Sequence, residues 1–136
     1  MHVGRWLRPA FLLISIAIVP TGAVAQRIAV ITSPSAAPVS RAQLAKIYLG
    51  RSFERRPLDL PEGTLRTTFY KEAADSDPAQ VRAAWARIMF TGRGEPPREL
   101  PNAAAVKKAV IADGNAIGYI EAEALDASVR AVLFLP

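Results

Sequence analysis

The residues of this chain best suited to chemistry on a charged small molecule are a Gly-Thr pair at 63–64 and the arginines around it. Leu58–Tyr70 reads as a short strand, a tight Pro/Gly turn and a helix that opens at Thr64. A hydroxyl residue at the N-cap leaves free backbone N–H groups pointing outward, with the positive end of the helix dipole behind them. A helix start of that kind holds anions. Gly63, Thr64, Leu65 and Arg66 are therefore the candidate anion-binding residues, with Arg56 from the basic loop Arg51–Pro57 supplying positive charge nearby. A bland reading stands beside this one: a Gly-Thr pair also starts helices that bind nothing, and a charge run is also a solvated loop.

The residue types that are missing narrow the chemistry further. The chain has no cysteine, and its single histidine is His2. Once an amino-terminal segment carrying His2 is removed, Ser-His and Cys-His catalysis and the usual zinc and copper ligand sets are excluded. The acidic residues stand singly in loops and on polar helix faces, with no spacing that forces two together. We expect no catalytic residue, no metal and no cofactor, and the chain does not read as an enzyme.

Such a segment is legible. Arg5 and Arg8 precede an apolar run, Phe11–Val19, and Ala23-Val24-Ala25 is a small-x-small cleavage site. This is the pattern of a secretory signal peptide, with an apolar part too short to remain as a membrane span. The expected organisation is a signal peptide over 1–25 and one domain over 26–136, located in the periplasm. Removing 25 of the 136 residues leaves 111, enough for one core. Removing Arg5 and Arg8 takes the formal charge from +5 to +3, too small and scattered an excess for a nucleic-acid footprint. Without cysteine, packing alone must hold the fold.

The elements that position the Gly-Thr turn can be read in order. Arg27–Thr32 is a β-branched run, a first buried strand. Ser40 and Gln43 form a capping box for a helix whose Leu44, Ile47 and Tyr48 share one face, and Gly50 ends it. The helix from Thr64 buries Leu65, Phe69 and Ala73 and ends near Ala74. Asp77-Pro78-Ala79-Gln80 starts another, with Val81, Ala84, Trp85, Ile88 and Met89 as its apolar stripe. That spacing makes Trp85 a core residue. Thr91–Pro97 is a helix stop; no strand precedes its glycines and no Lys-Ser/Thr follows, so it is not a phosphate loop. Asn102 caps a fourth helix, with Val106, Ala109 and Val110 inward. Ala116–Ile120 is a strand in which Gly118 implies close backbone approach. Val129–Leu135, nearly all apolar, reads as a well-covered last strand. Strands alternating with helices imply an α/β fold: a small mixed sheet flanked by about four helices.

Read together, Leu44-Ala-Lys-Ile-Tyr-Leu-Gly50, the basic loop, Glu62-Gly63-Thr64, the helical Trp85 and Gly114-Asn-Ala-Ile-Gly-Tyr-Ile-Glu121 resemble the phosphate-binding proteins of phosphate ABC transporters. The likeness is greatest to their short exported relatives, and it covers nearly the whole of 26–136. It implies one lobe of a type II periplasmic binding protein. The family's lobe offers a Ser-Gly-Thr turn at a helix start and an arginine four residues before the serine. Gly63 and Thr64 match the last two positions of that turn, whereas Glu62 stands at the serine and Leu58 at the arginine. The resemblance thus implies a solute-binding module that takes phosphate or another oxyanion weakly, or together with a partner. The alternative is an interaction module that keeps the lobe as a scaffold and docks on a membrane transporter, sensor or outer-membrane protein.

Overall fold

The computed structural model describes Gly4, residues 15–18 and residues 27–136. Apart from Gly4 and residues 15–18, the expected signal peptide and its cleavage site lie outside the described residues. No helix among the described residues is long and apolar enough to cross a membrane.

Five strands and four helices follow one another as β1 (Ile28–Thr32), α1 (Arg41–Tyr48), β2 (Arg56–Asp59), α2 (Thr64–Ala74), α3 (Pro78–Phe90), β3 (Arg98–Glu99), α4 (Ala103–Ala112), β4 (Ala116–Glu121) and β5 (Arg130–Leu135). The sheet order is β3-β2-β4-β1-β5. β2 pairs in parallel with β3 and β4, while β1 pairs antiparallel with β4 and β5. The fold is therefore the mixed α/β arrangement expected. β1 is buried along its whole length, with a strand on each side and α4 packed against it.

Alternation along the strands assigns the faces. Register places Pro57 beside Ile117, so Leu58 falls beside Gly118 and Asp59 beside Tyr119. Tyr119 turns toward α1 and α2, where it stacks on Phe69 with ring centroids 3.8 Å apart; Tyr48 and Tyr70 close the cluster edge-on. Gly118 turns toward α4. A Cβ there would lie 2.5 Å from Val106 Cγ1, so only glycine lets α4 settle onto the sheet at this depth.

Capping is encoded locally. Ser40 with Gln43 and Asp77 with Gln80 form reciprocal capping boxes, and Asn102 caps α4 through Ala105 N–H at 2.9 Å. Gly50 ends α1 with φ +71°, and a Cβ on it would strike Ile88 of α3. The two helices are also tied by Trp85, buried as expected, whose indole N–H donates to the Tyr48 carbonyl at 2.9 Å.

Two expectations need correction, and one strand was not expected. β5 is not well covered: it is the outermost strand, only Leu135 is buried, and Phe134 is 45 % exposed beneath the Arg27 guanidinium. Apolar composition does not distinguish an edge strand from a central one. Met89, assigned to the apolar stripe of α3, is 53 % exposed because it lies at the margin of that stripe. β3 was not expected, because two residues after Pro96-Pro97 are too few to show a period.

Candidate functional site

β2 and β4 run parallel, and α2 and α4 begin at the end of the sheet where these strands finish. In open α/β sheets that is the end at which ligands bind. A cleft of about 350 Å³ lies there, bounded by Gly63, Thr64 and Leu65 on one side, Asn102 on the other, and Glu121 at the end of β4.

The start of α2 differs from the sequence expectation by one residue. Gly63, not Thr64, is the N-cap, and Thr64 is the first residue inside the helix. Its hydroxyl therefore caps nothing. Gly63 has an extended backbone and no side chain, so α2 begins without a side-chain cap, whereas α1, α3 and α4 each have one. The first backbone bond of α2 runs from Thr67 N–H to the Gly63 carbonyl at 3.0 Å. The N–H groups of Thr64, Leu65 and Arg66 find no acceptor among the described residues.

The arginines are elsewhere. Arg56 opens β2, at the opposite end of that strand, where its guanidinium grips Asp113 through two hydrogen bonds of 2.7 and 3.0 Å. This pair holds the Asp113 carboxyl down at about 2, chiefly through the Arg56 hydrogen bond. Arg66 turns back under the turn. Its Nη1 donates to the Leu60 carbonyl at 3.2 Å and lies 3.5 Å from Glu99, while Nε lies 3.6 Å from Asp59. Two carboxylates thus neutralise it, and it does not line the Thr64 cleft.

Glu62 points away from that cleft. It lines a separate cavity of about 250 Å³ between α2 and α3, where its carboxylate is 3.7 Å from Arg82. The carboxylate that does face the cleft is Glu121, which no spacing argument could have placed there.

Beneath the turn lies a polar cluster that sequence reasoning missed. Asp59 is 3 % exposed. It accepts from Tyr70 O–H at 2.6 Å, from Tyr119 O–H at 2.5 Å and from Leu60 N–H at 2.9 Å. Tyr48 O–H donates to the Leu58 carbonyl at 2.7 Å. Burial, reinforced by the Asp59 charge, pushes the Tyr70 and Tyr119 phenols far above their ordinary range; burial, then neighbouring Tyr70, does the same to Tyr48. The cluster locks the carboxyl end of β2 to α2 and β4, and so fixes the turn from which Gly63 and Thr64 project. Its one signal in the sequence is an aspartate inside an apolar strand run, which demands buried partners.

The fold matches solved structures of phosphate-transport binding proteins. The ABC-type phosphate transport receptor from Vibrio cholerae superposes with a TM-score of 0.58 at 16% identity. A putative phosphate ABC transporter substrate-binding protein from Clostridium perfringens, solved with bound phosphate, gives 0.62 at 20%. In both cases the match covers 79% of this chain and 45% of the other, so the chain spans less than half the length of the proteins whose fold it shares. No protein-family model and no curated protein matches it.

Proposed function

We propose that this chain is an exported, periplasmic solute-binding module that takes a small oxyanion such as phosphate at the start of α2. The observation that carries the reading is the uncapped helix: the N–H groups of Thr64, Leu65 and Arg66 have no acceptor among the described residues, and Thr64 and Leu65 line a cleft at the ligand-binding end of the sheet. Binding is weak. The cleft contains no arginine, Glu121 opposes an anion, and the attraction comes from two helix starts worth about half a charge each. A partner that supplies cations across the cleft would strengthen it.

The test is a thermal-shift titration with phosphate, sulfate and chloride at fixed ionic strength. A ligand at about four times its Kd adds about 1 kcal/mol, a rise on the order of 4 °C in a domain of this size. A phosphate-dependent rise beyond chloride is expected at millimolar concentrations; its absence sinks the reading.

A second reading has its own support. Phe90 is 94 % exposed at the end of α3, beside the exposed Met89, which suits an interaction module docking on a membrane transporter, sensor or outer-membrane protein. Loss of partner capture on Phe90→Ser, with phosphate response unchanged, would favour it.

A further inference from the structure

The far end of β2 carries another cavity, on the opposite face of the sheet. α4 lies over β4 and β1. A helix is about 10 Å wide and strands are about 4.8 Å apart, so one helix covers two strands. The strip over β2 and β3 on that face is left without a helix, and a groove of about 560 Å³ opens there. Its floor is apolar and short-chained, with Leu58, Ala109, Ala112 and Ala116, and Phe53 stands 57 % exposed at its mouth.

The polar groups of the groove are not equivalent. Register sets Leu58 beside Arg98 and Arg56 beside Ala116, so both arginines share the Leu58 face. Arg56 is committed to Asp113. Arg98 makes no ion pair or side-chain hydrogen bond among the described residues, although it lines the groove. In the wall, Arg55 donates Nη2 to the Ala37 carbonyl at 2.9 Å, while its Nη1 is buried with no acceptor. Arg55 thus adds positive charge to the wall without offering that nitrogen to the groove. Among the described residues, Glu95 is the carboxylate of the lining without a partner; with Arg56 paired to Asp113, the lining's three arginines outnumber its two carboxylates by one.

We propose that this groove binds a small amphipathic carboxylate. The acyl chain lies along Leu58, Ala109 and Ala112, and the carboxylate sits on Arg98. The volume falls inside the usual range of about 300–1,000 Å³ for small-molecule sites, and an apolar floor with a few convergent polar groups is their usual composition. A bare oxyanion would leave the floor unused. A cation would meet Arg98. The site is separate from the α2 cleft and stands or falls independently of it.

The test is an amide-resolved NMR titration of the protein with octanoate, held below its aggregation concentration, against octanamide and acetate. Saturable shifts are expected at Phe53, Arg98, Ala109 and Ala112, with octanamide and acetate each at least tenfold weaker. Arg98→Gln should weaken octanoate at least tenfold while the phosphate response is unchanged. Should Arg98→Gln fail to fold, Ala112→Leu, which fills the floor from an exposed position on α4, should abolish binding in its place. Shifts that are absent, that map to other residues, that persist in the folded variants, or that acetate or octanamide reproduces would overturn the proposal.

Discussion

Replacing Asp59 with asparagine tests whether the buried cluster holds the candidate site in place. The side chain keeps its size but loses its charge. As aspartate it accepts from Tyr70, Tyr119 and Leu60 and stands 3.6 Å from Arg66. As asparagine, one terminal atom becomes a donor facing a phenol. A hydrogen bond to a charged group contributes about 1.5–3 kcal/mol against about 1 for a neutral one. Arg66 also loses its buried counter-charge, and breaking a buried pair from one side costs about 3–5 kcal/mol in well-enclosed cases. Arg66 is a quarter exposed, which reduces that figure, so the expected total loss is about 3–4 kcal/mol. For a domain of this size the melting point should fall by on the order of 12–16 °C. Urea denaturation at pH 7, with Tyr70→Phe and Tyr119→Phe at about 1–2 kcal/mol each for comparison, measures it. A loss under about 1 kcal/mol would show that the cluster does not hold the turn.

Gly118→Ala should cost about 1–3 kcal/mol through overpacking against Val106, and the Gly118→Ala/Val106→Ala double variant should lose less than the two single changes added together. All three tyrosines of the chain are buried, and the shifted phenols lie above the unfolded value of 10. Their contribution to stability is therefore present below pH 10 and lost as pH rises beyond it. Absorbance at 295 nm should report no phenolate until the fold opens, and ionisation near pH 10 in the folded state would contradict the burial argument. Glu62→Ser should change phosphate affinity less than about threefold, because Glu62 is exposed and faces Arg82. Glu121→Gln should raise affinity more, by about 1–2 kcal/mol, because Glu121 lines the cleft. Calorimetry on both variants decides which carboxylate opposes the anion.

The sequence was informative at most places where the cause is local, the start of α2 excepted. The capping boxes at Ser40 and Asp77, the stop at Gly50 and the position of Trp85 depend on residues three or four apart, and each stands where spacing put it. Gly118 was legible because glycine inside a strand has few other uses. Fates set by sheet order were not legible. β5 is an edge because β1 precedes it in the sheet, and Arg56 is remote from Thr64 because β2 runs between them. The cluster at Asp59 joins residues 11 and 60 positions away: the packing of α2 brings Tyr70, and the parallel register of β2 and β4 brings Tyr119. The expected hydroxyl cap at Thr64 failed by a single residue, yet that shift removes the hydroxyl from capping and leaves Gly63 as a bare cap.

The most direct test of anion binding at α2 is a proton–nitrogen NMR titration with phosphate at fixed ionic strength, read at the Thr64, Leu65 and Arg66 amides. Saturable downfield shifts at these three, in the millimolar range and absent with chloride, are expected. Amides that stay still while phosphate rises, or that respond equally to chloride, would contradict an oxyanion site at the start of α2.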